Sequence, residues 1–181
     1  MSRRLLYILG AIFFLVLAIV GFNQYRLSQT KQYSPEETAE YISTDVAVKV
    51  FYNRPSKKGR VIFGDLVPYG EWWRTGANEA TQIELTRDIR FENGETLSAG
   101  KYSLVTIPNA NEWQVIFNSK IPDWGTDYDP QFDVLNVVGH VERLPQTVEV
   151  FTIDFTEENG QPRLTMAWDN TKVTVPFWPS D

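Results

Sequence analysis

The sequence predicts an all-β domain, an antiparallel β-sandwich or jelly-roll-like barrel, preceded by one N-terminal transmembrane helix. Three observations carry this. Residues Leu5 to Phe22 form an 18-residue run with no ionisable side chain except the phenol of Tyr7. From Asp45 onward, large apolar residues recur at every second position, the period of a half-buried strand. Between these runs stand Gly, Asn and Pro pairs of the kind that close hairpins, and no amphipathic helix of ordinary length. Many short strands at such spacing without intervening helices describe a sandwich or barrel.

The elements follow in order. Residues 1–4 are read as a cytoplasmic tip, because Arg3 and Arg4 precede the apolar run and positive charge stays inside. Residues 5–22 are the transmembrane anchor and have the lipid bilayer as partner. At 1.5 Å rise per residue they span roughly 27 Å, near the hydrocarbon thickness, and a helix satisfies its backbone polar groups internally. A cleaved export signal is the alternative. Against it, the run exceeds the usual 7–15 residues of a signal core, and Gly21-Phe22-Asn23-Gln24-Tyr25-Arg26 offers no small-x-small cleavage site. The chain has no cysteine, which excludes an acylated lipoprotein, disulfides and thiol catalysis. A single-pass membrane protein with its domain on the periplasmic or extracellular side is the expectation.

Residues 23–44 read as a polar linker with one short helix. Ser34 is placed to cap it, Pro35 suits its first turn, Glu37 completes a Ser-x-x-Glu capping box, and Ala39, Tyr41 and Ile42 are its docking residues. Residues 45–181 form the β-domain, of a size that supports one core. Its strands are announced by Val46-x-Val48-x-Val50, Tyr102-x-Leu104, Trp113-x-Val115-x-Phe117, Phe151-x-Ile153-x-Phe155, Leu164-x-Met166-x-Trp168 and Val173-x-Val175-x-Phe177. Asn93-Gly94, Ala99-Gly100, Pro108-Asn109, Asn159-Gly160 and Asp169-Asn170 are the expected turns. Without Arg3 and Arg4, fifteen basic residues face twenty-three acidic ones, a formal charge of −8, which disfavours nonspecific attraction to nucleic acid or to anionic lipid and leaves only a local basic patch to bind an anion.

One segment breaks the alternation. Residues 52–81 contain glycines at 59, 64, 70 and 76, prolines at 55 and 68, and several aromatic residues, and only Arg60 to Phe63 offer more than a stub of strand. Loops this long inside a compact domain are functional or disordered, and aromatic content argues for order. Arg54, Lys57, Lys58, Arg60 and Arg74 give it cations, with Asn78 and Glu79 nearby. The string Arg54-Pro55-Ser56-x-x-Gly59-Arg60-x-Ile62-Phe63-Gly64-x-Leu66-Val67-Pro68-Tyr69-Gly70-x-x-Trp73-Arg74-Thr75-Gly76-Ala77-Asn78-Glu79-Ala80-Thr81 resembles the signature of a bacterial family known as domain of unknown function 2911. The run Leu97 to Pro108, the Trp124-Gly125 pair and Ala167-Trp168-x-Asn170-Thr171 resemble it too, so the likeness covers about residues 45–177. It implies an exported or membrane-attached β-rich domain and supplies no catalytic residues. Where members of that family often have Pro after Leu97, this chain has Ser98.

The candidate ligand-binding residues are Arg54, Tyr69, Trp73, Arg74, Asn78 and Glu79, and the four polar ones, Arg54, Arg74, Asn78 and Glu79, are expected to converge on one cavity. A guanidinium fork matches a carboxylate or phosphate, and the rings of Tyr69, Trp72 and Trp73 are suited to stacking on a planar ligand or sugar. The competing structural reading makes each arginine half of an ion pair with Glu79 or Asp65, and makes the aromatics core anchors. The expected ligand is polar or anionic, a saccharide or a peptide carboxylate. A cell-envelope hydrolase using Glu79 or an Asp with an arginine is one alternative, and a protein-interaction scaffold is another. Asp123, Asp127 and Asp129 lack the spacing of an EF-hand. His140, the single histidine, alternates with apolar residues, and Ser56, Ser98 and Ser103 lie in no nucleophile elbow. No catalytic residue, metal ligand or cofactor motif is assigned.

Overall fold

The structure, a computed structural model, describes residues 3–180. Met1, Ser2 and Asp181 lie outside the described residues. The chain divides into two compact units, Met1–Tyr33 and Ser34–Asp181. The first contains a single helix, α1 (Arg3–Tyr33), long and apolar enough to cross a membrane. It continues through residues 23–33, where a polar spacer was expected, because nothing between Phe22 and Tyr33 is a Gly or Pro that would end it.

The second unit is an antiparallel β-domain, as the alternation predicts. Nine strands, β1 (Glu36–Ile42), β2 (Ala47–Asn53), β3 (Gln82–Leu85), β4 (Ile89–Phe91), β5 (Thr96–Leu97), β6 (Gly100–Ile107), β7 (Glu112–Asn118), β8 (Asp133–Glu158) and β9 (Gln161–Pro179), join in the order β1-β2-β3-β6-β7-β8-β9-β4-β5. The expected helix over Ser34 to Ile42 is instead β1. It pairs with β2 along its whole length, from Glu36↔Asn53 to Ile42↔Ala47. The capping box is a local signal and the unpaired edge of β2 is a tertiary one, and here the tertiary one wins. Glu37 takes the Nη1 hydrogen bond of Arg54 at 3.3 Å, while Ala39 and Tyr41 turn toward the core.

Each of the period-two runs places its residues inside, with Tyr102 and Phe155 only partly covered. Strand β8 is long enough to serve twice. Its first half pairs with β7, and register shifts between Arg143, Val148 and Thr152 then bend it. Pro145, unable to donate to a ladder, stands in that interruption. The second half packs on β2, where the Tyr52 hydroxyl donates to Ile153 O at 3.1 Å and the Tyr52 and Phe151 rings meet edge to face at 5.8 Å. The core is therefore enclosed between one end of the sheet and the returning halves of β8 and β9.

The Asn159-Gly160 turn links β8 to β9 with both residues at positive φ, 53° and 79°. Asp169-Asn170 is no turn. It lies within β9, Asp169 adopts φ 55°, and its carboxylate meets Lys57 Nζ at 3.0 Å. The signals that mark a hairpin also mark a kink inside a strand, and only the facing irregularity in β8 distinguishes the two.

Candidate functional site

The 54–81 segment contains no strand longer than an isolated bridge. It is ordered by being sewn to its neighbours. Lys57 N donates to Glu149 O, Phe151 N to Pro55 O, Gly70 N to Pro108 O, and Trp73 and Thr106 exchange both backbone bonds. Ile62, Val67 and Trp73 turn inward, whereas Val61, Leu66, Tyr69 and Trp72 face out.

The two adjacent tryptophans thus take opposite roles. Trp73 is buried, stacked on Trp168 at 5.9 Å and edge-on to Phe151 and Trp113 at 5.0 and 6.0 Å. That is the position of a core anchor. Trp72 is 42% exposed and its ring lies 5.2 Å from that of Tyr128.

The two arginines also part company. Arg54 donates through Nε to Phe151 O, through Nη2 to Thr152 Oγ1 and through Nη1 to Glu37. It clamps β8 to β1, and each of its three nitrogens has a partner. Arg74 is half-buried, and its guanidinium makes no hydrogen bond or ion pair to any described residue. Its pKa is lowered from the usual arginine value, and burial alone is the cause. None of its nitrogens is sealed from water. Glu79, the carboxylate expected beside it, accepts from Asn53 Nδ2 at 3.0 Å. Asn78 donates through Nδ2 to Ser34 O at 3.5 Å and through its carbonyl accepts from Gly125 N at 2.9 Å. Tyr69 covers Gly64 on the outer turn of the loop. The four polar residues expected at one cavity therefore do not converge: Arg74 faces a cleft that Arg54, Asn78 and Glu79 do not line, and neither do Tyr69 and Trp73.

That cleft is built where the 119–132 segment lies over the outer face of β6. Ser103 Oγ donates to Lys120 O at 2.8 Å, and the Gly125 N bond to Asn78 O joins the segment to the signature loop. Arg74, Thr81, Ser103, Pro122, Gly125 and Tyr128 line it, and its volume of about 10 Å³ admits one water-sized group. Tyr128 donates to Asp133 Oδ2 at 2.7 Å, and its phenol pKa is raised by burial and then by that carboxylate. Gly125 is required by contact: a Cβ there would lie 2.8 Å from Arg74 Cδ and 3.0 Å from Arg74 Cβ.

The backbone beside Arg74 is strained. Thr75, β-branched and fully buried, sits at φ 54° and Asn78 at φ 56°, conformations that cost about 1–3 kcal/mol each and gather where function demands them. Thr75 is held by its hydroxyl to Trp73 O and Thr106 Oγ1, and its carbonyl accepts from Thr81 Oγ1 at 2.9 Å. Gly76 is needed because a Cβ would come 3.0 Å from Asn53 O.

Sequence reasoning missed Tyr128 and Gly125 as members of this site, although Trp124-Gly125 stands in the resemblance. Two of the three aspartates of the 119–132 segment have structural employment: Asp129 accepts from Gln131 N and faces Lys120, and Asp127 accepts from Thr126. His140 pairs with Glu92 at 2.6 Å on the open surface. Glu92 in turn lines a groove of about 200 Å³ with Phe91, Val138 and Pro176.

No curated protein and no solved structure proves similar to this chain. The model of one family, described as protein of unknown function (DUF2911), matches residues 34–177, nearly the whole β-domain. The chain belongs to that family.

Proposed function

We propose that this protein is a membrane-anchored binding domain that holds an anionic group, a carboxylate of a saccharide or peptide, against Arg74. The observation that carries the reading is the unpaired, partly desolvated guanidinium at the wall of a cleft. Burying a cation without a partner is costly, and a ligand anion supplies the missing charge-assisted hydrogen bonds. The cleft has room for a single carboxylate oxygen. The body of the ligand then lies outside, where Trp72 offers an exposed ring beside Tyr128.

The test is an Arg74→Gln variant of the full chain in nanodiscs, screened against uronate-bearing glycans and peptides with free carboxylates by titration calorimetry. Affinity is expected to fall by about 1.5–3 kcal/mol, roughly 10- to 150-fold. Urea unfolding is expected to show no loss of stability, since no ion pair is broken. A loss of about 3–5 kcal/mol, the signature of a broken buried pair, overturns the reading.

The domain is placed outside the cytoplasm, with Arg3 and Arg4 inside. Protease added to intact spheroplasts is expected to degrade residues 34–181 and to leave the N-terminus protected. Protection of the β-domain reverses the orientation.

A further inference from the structure

The sheet ends on strands β1 and β5, and both are blunted against foreign pairing. β1 carries Glu36, Glu37 and Glu40, and β5 is two residues long. A further edge lies within the sheet, where the pairing forks. Strand β8 is in register with β7 from Asp133 to His140, but with β9 only from His140↔Thr174 onward. Beyond Thr174, β9 leaves β8 and joins β4 at Phe91↔Phe177. Pro176 stands at the parting and has no N–H to give to a ladder. Residues 134–138 of β8 therefore have β7 on one side and no strand on the other, and among the described residues no loop bonds to their backbone.

Two other gaps in the pairing are filled by the signature loop. In the bend of β8, Ser56 bridges Val150 and Pro55 O accepts from Phe151 N, and beside β6, Trp73 bridges Thr106. The fork has no such cover and no such blunting. Val134-Leu135-Asn136-Val137-Val138-Gly139 contains neither a charge nor a proline. Val134 is 50% exposed and Val138 48%. The groove of about 200 Å³ opens here, between Val137 and Val138 of β8, Val175 and Pro176 of β9, and Phe91 of β4, with Glu92 and Asn93 at its rim. Glu92 is engaged by His140.

An open ladder edge is completed by another strand, which alone supplies N–H and C=O groups at the right spacing. The sequence of the edge says which strand. Turned about a two-fold axis at Asn136, the segment complements itself: Val134 meets Val138 of a second copy, Leu135 meets Val137, and Asn136 meets its counterpart. Apolar residues then face apolar residues, and Asp133 falls opposite Gly139 instead of another carboxylate. Asn136 donates to Gln114 Oε1 at 2.9 Å and retains donor and acceptor capacity for its counterpart. From these we infer that residues 134–138 are the interface of a two-fold dimer, in which β8 of a second copy completes the ladder that β9 leaves open. An isologous pair uses both edges, so association stops at two.

The full chain in dodecyl maltoside micelles is followed by sedimentation velocity over a wide range of concentration, and a monomer–dimer equilibrium is expected. Val138→Lys puts a charge on an exposed edge position, so at concentrations where the parent is mostly dimer this variant is expected to sediment as monomer. Val61→Lys, at an exposed valine of the signature loop, is expected to change nothing. Because the chain has no cysteine, Asn136→Cys tests the register. Opposite Cβ atoms of an antiparallel pair lie about 4.5–5.5 Å apart, so oxidation with copper phenanthroline is expected to link two copies at 136 and not at Glu84→Cys, on the exposed face of β3. A chain that stays monomeric at every concentration overturns the inference. A dimer that Val138→Lys leaves intact, with the contact then lying elsewhere, also overturns it, as does a dimer that links no better at 136 than at 84. Should Val138→Lys fail to fold, as judged by circular dichroism, the comparison of 136 with 84 decides alone.

Discussion

Trp73→Ala is expected to remove about 3–5 kcal/mol of folding stability, the range for deleting a buried tryptophan, and to leave whatever ligand affinity the folded fraction retains close to that of the parent. The ring is the hub of an aromatic cluster, in contact with Phe63, Trp113, Phe151 and Trp168. Four partners drawn from the signature loop, β7, β8 and β9 lose contact at once. A domain of this size has about 5–15 kcal/mol to lose, so urea unfolding should show a large fall in midpoint. Trp72→Ala is the control. Half-exposed and touching only Tyr128 among the rings, it should cost less stability and weaken ligand binding instead. If the two substitutions exchange these effects, the assignment of inner and outer ring is wrong.

How far the sequence speaks can be judged from neighbouring residues. The strands are legible because each buries one face, so Trp113, Val115 and Phe117 declare their side without knowledge of their partners. The N-terminal helix is legible because length and apolar composition sufficient to cross a membrane are read directly from an unbroken apolar run. The β1 strand is not. Its capping box satisfies a local rule, and only the seven pairs it makes with β2 outweigh it. The site is the least legible of all. Arg54 and Arg74 are the same residue type in the same turn-rich segment, and what separates them is a carbonyl 97 positions away, Phe151 O, that occupies the first and leaves the second bare. Trp72 and Trp73 are neighbours whose fates follow from the backbone pairing of Trp73 with Thr106. Gly125 carries no chemistry of its own, and its part in the site is the space it leaves. Such facts are long-range contacts, and periodicity does not encode them.

That space yields the second large effect. Gly125→Ala is expected to weaken ligand binding by about 1–3 kcal/mol, roughly 5- to 150-fold, through overpacking against Arg74. The added methyl would meet Arg74 Cδ at 2.8 Å, Arg74 Cβ at 3.0 Å and Asn78 O at 3.2 Å. The Cδ contact alone is relieved by swinging the side chain. The other two involve a Cβ and a backbone oxygen, fixed by the strained turn at Thr75 and Asn78, so the 119–132 segment must lift and lengthen the 2.9 Å bond from Gly125 N to Asn78 O. Both movements displace the guanidinium from the cleft. A double-mutant cycle with Arg74→Gln separates this from a general loss of fold. If Gly125 acts through Arg74, the affinity of the double variant should equal that of Arg74→Gln alone, because the group being displaced is already gone. Additive losses would mean that Gly125→Ala harms binding by another route. Undiminished affinity in Gly125→Ala itself would remove Arg74 and its cleft from the binding reaction.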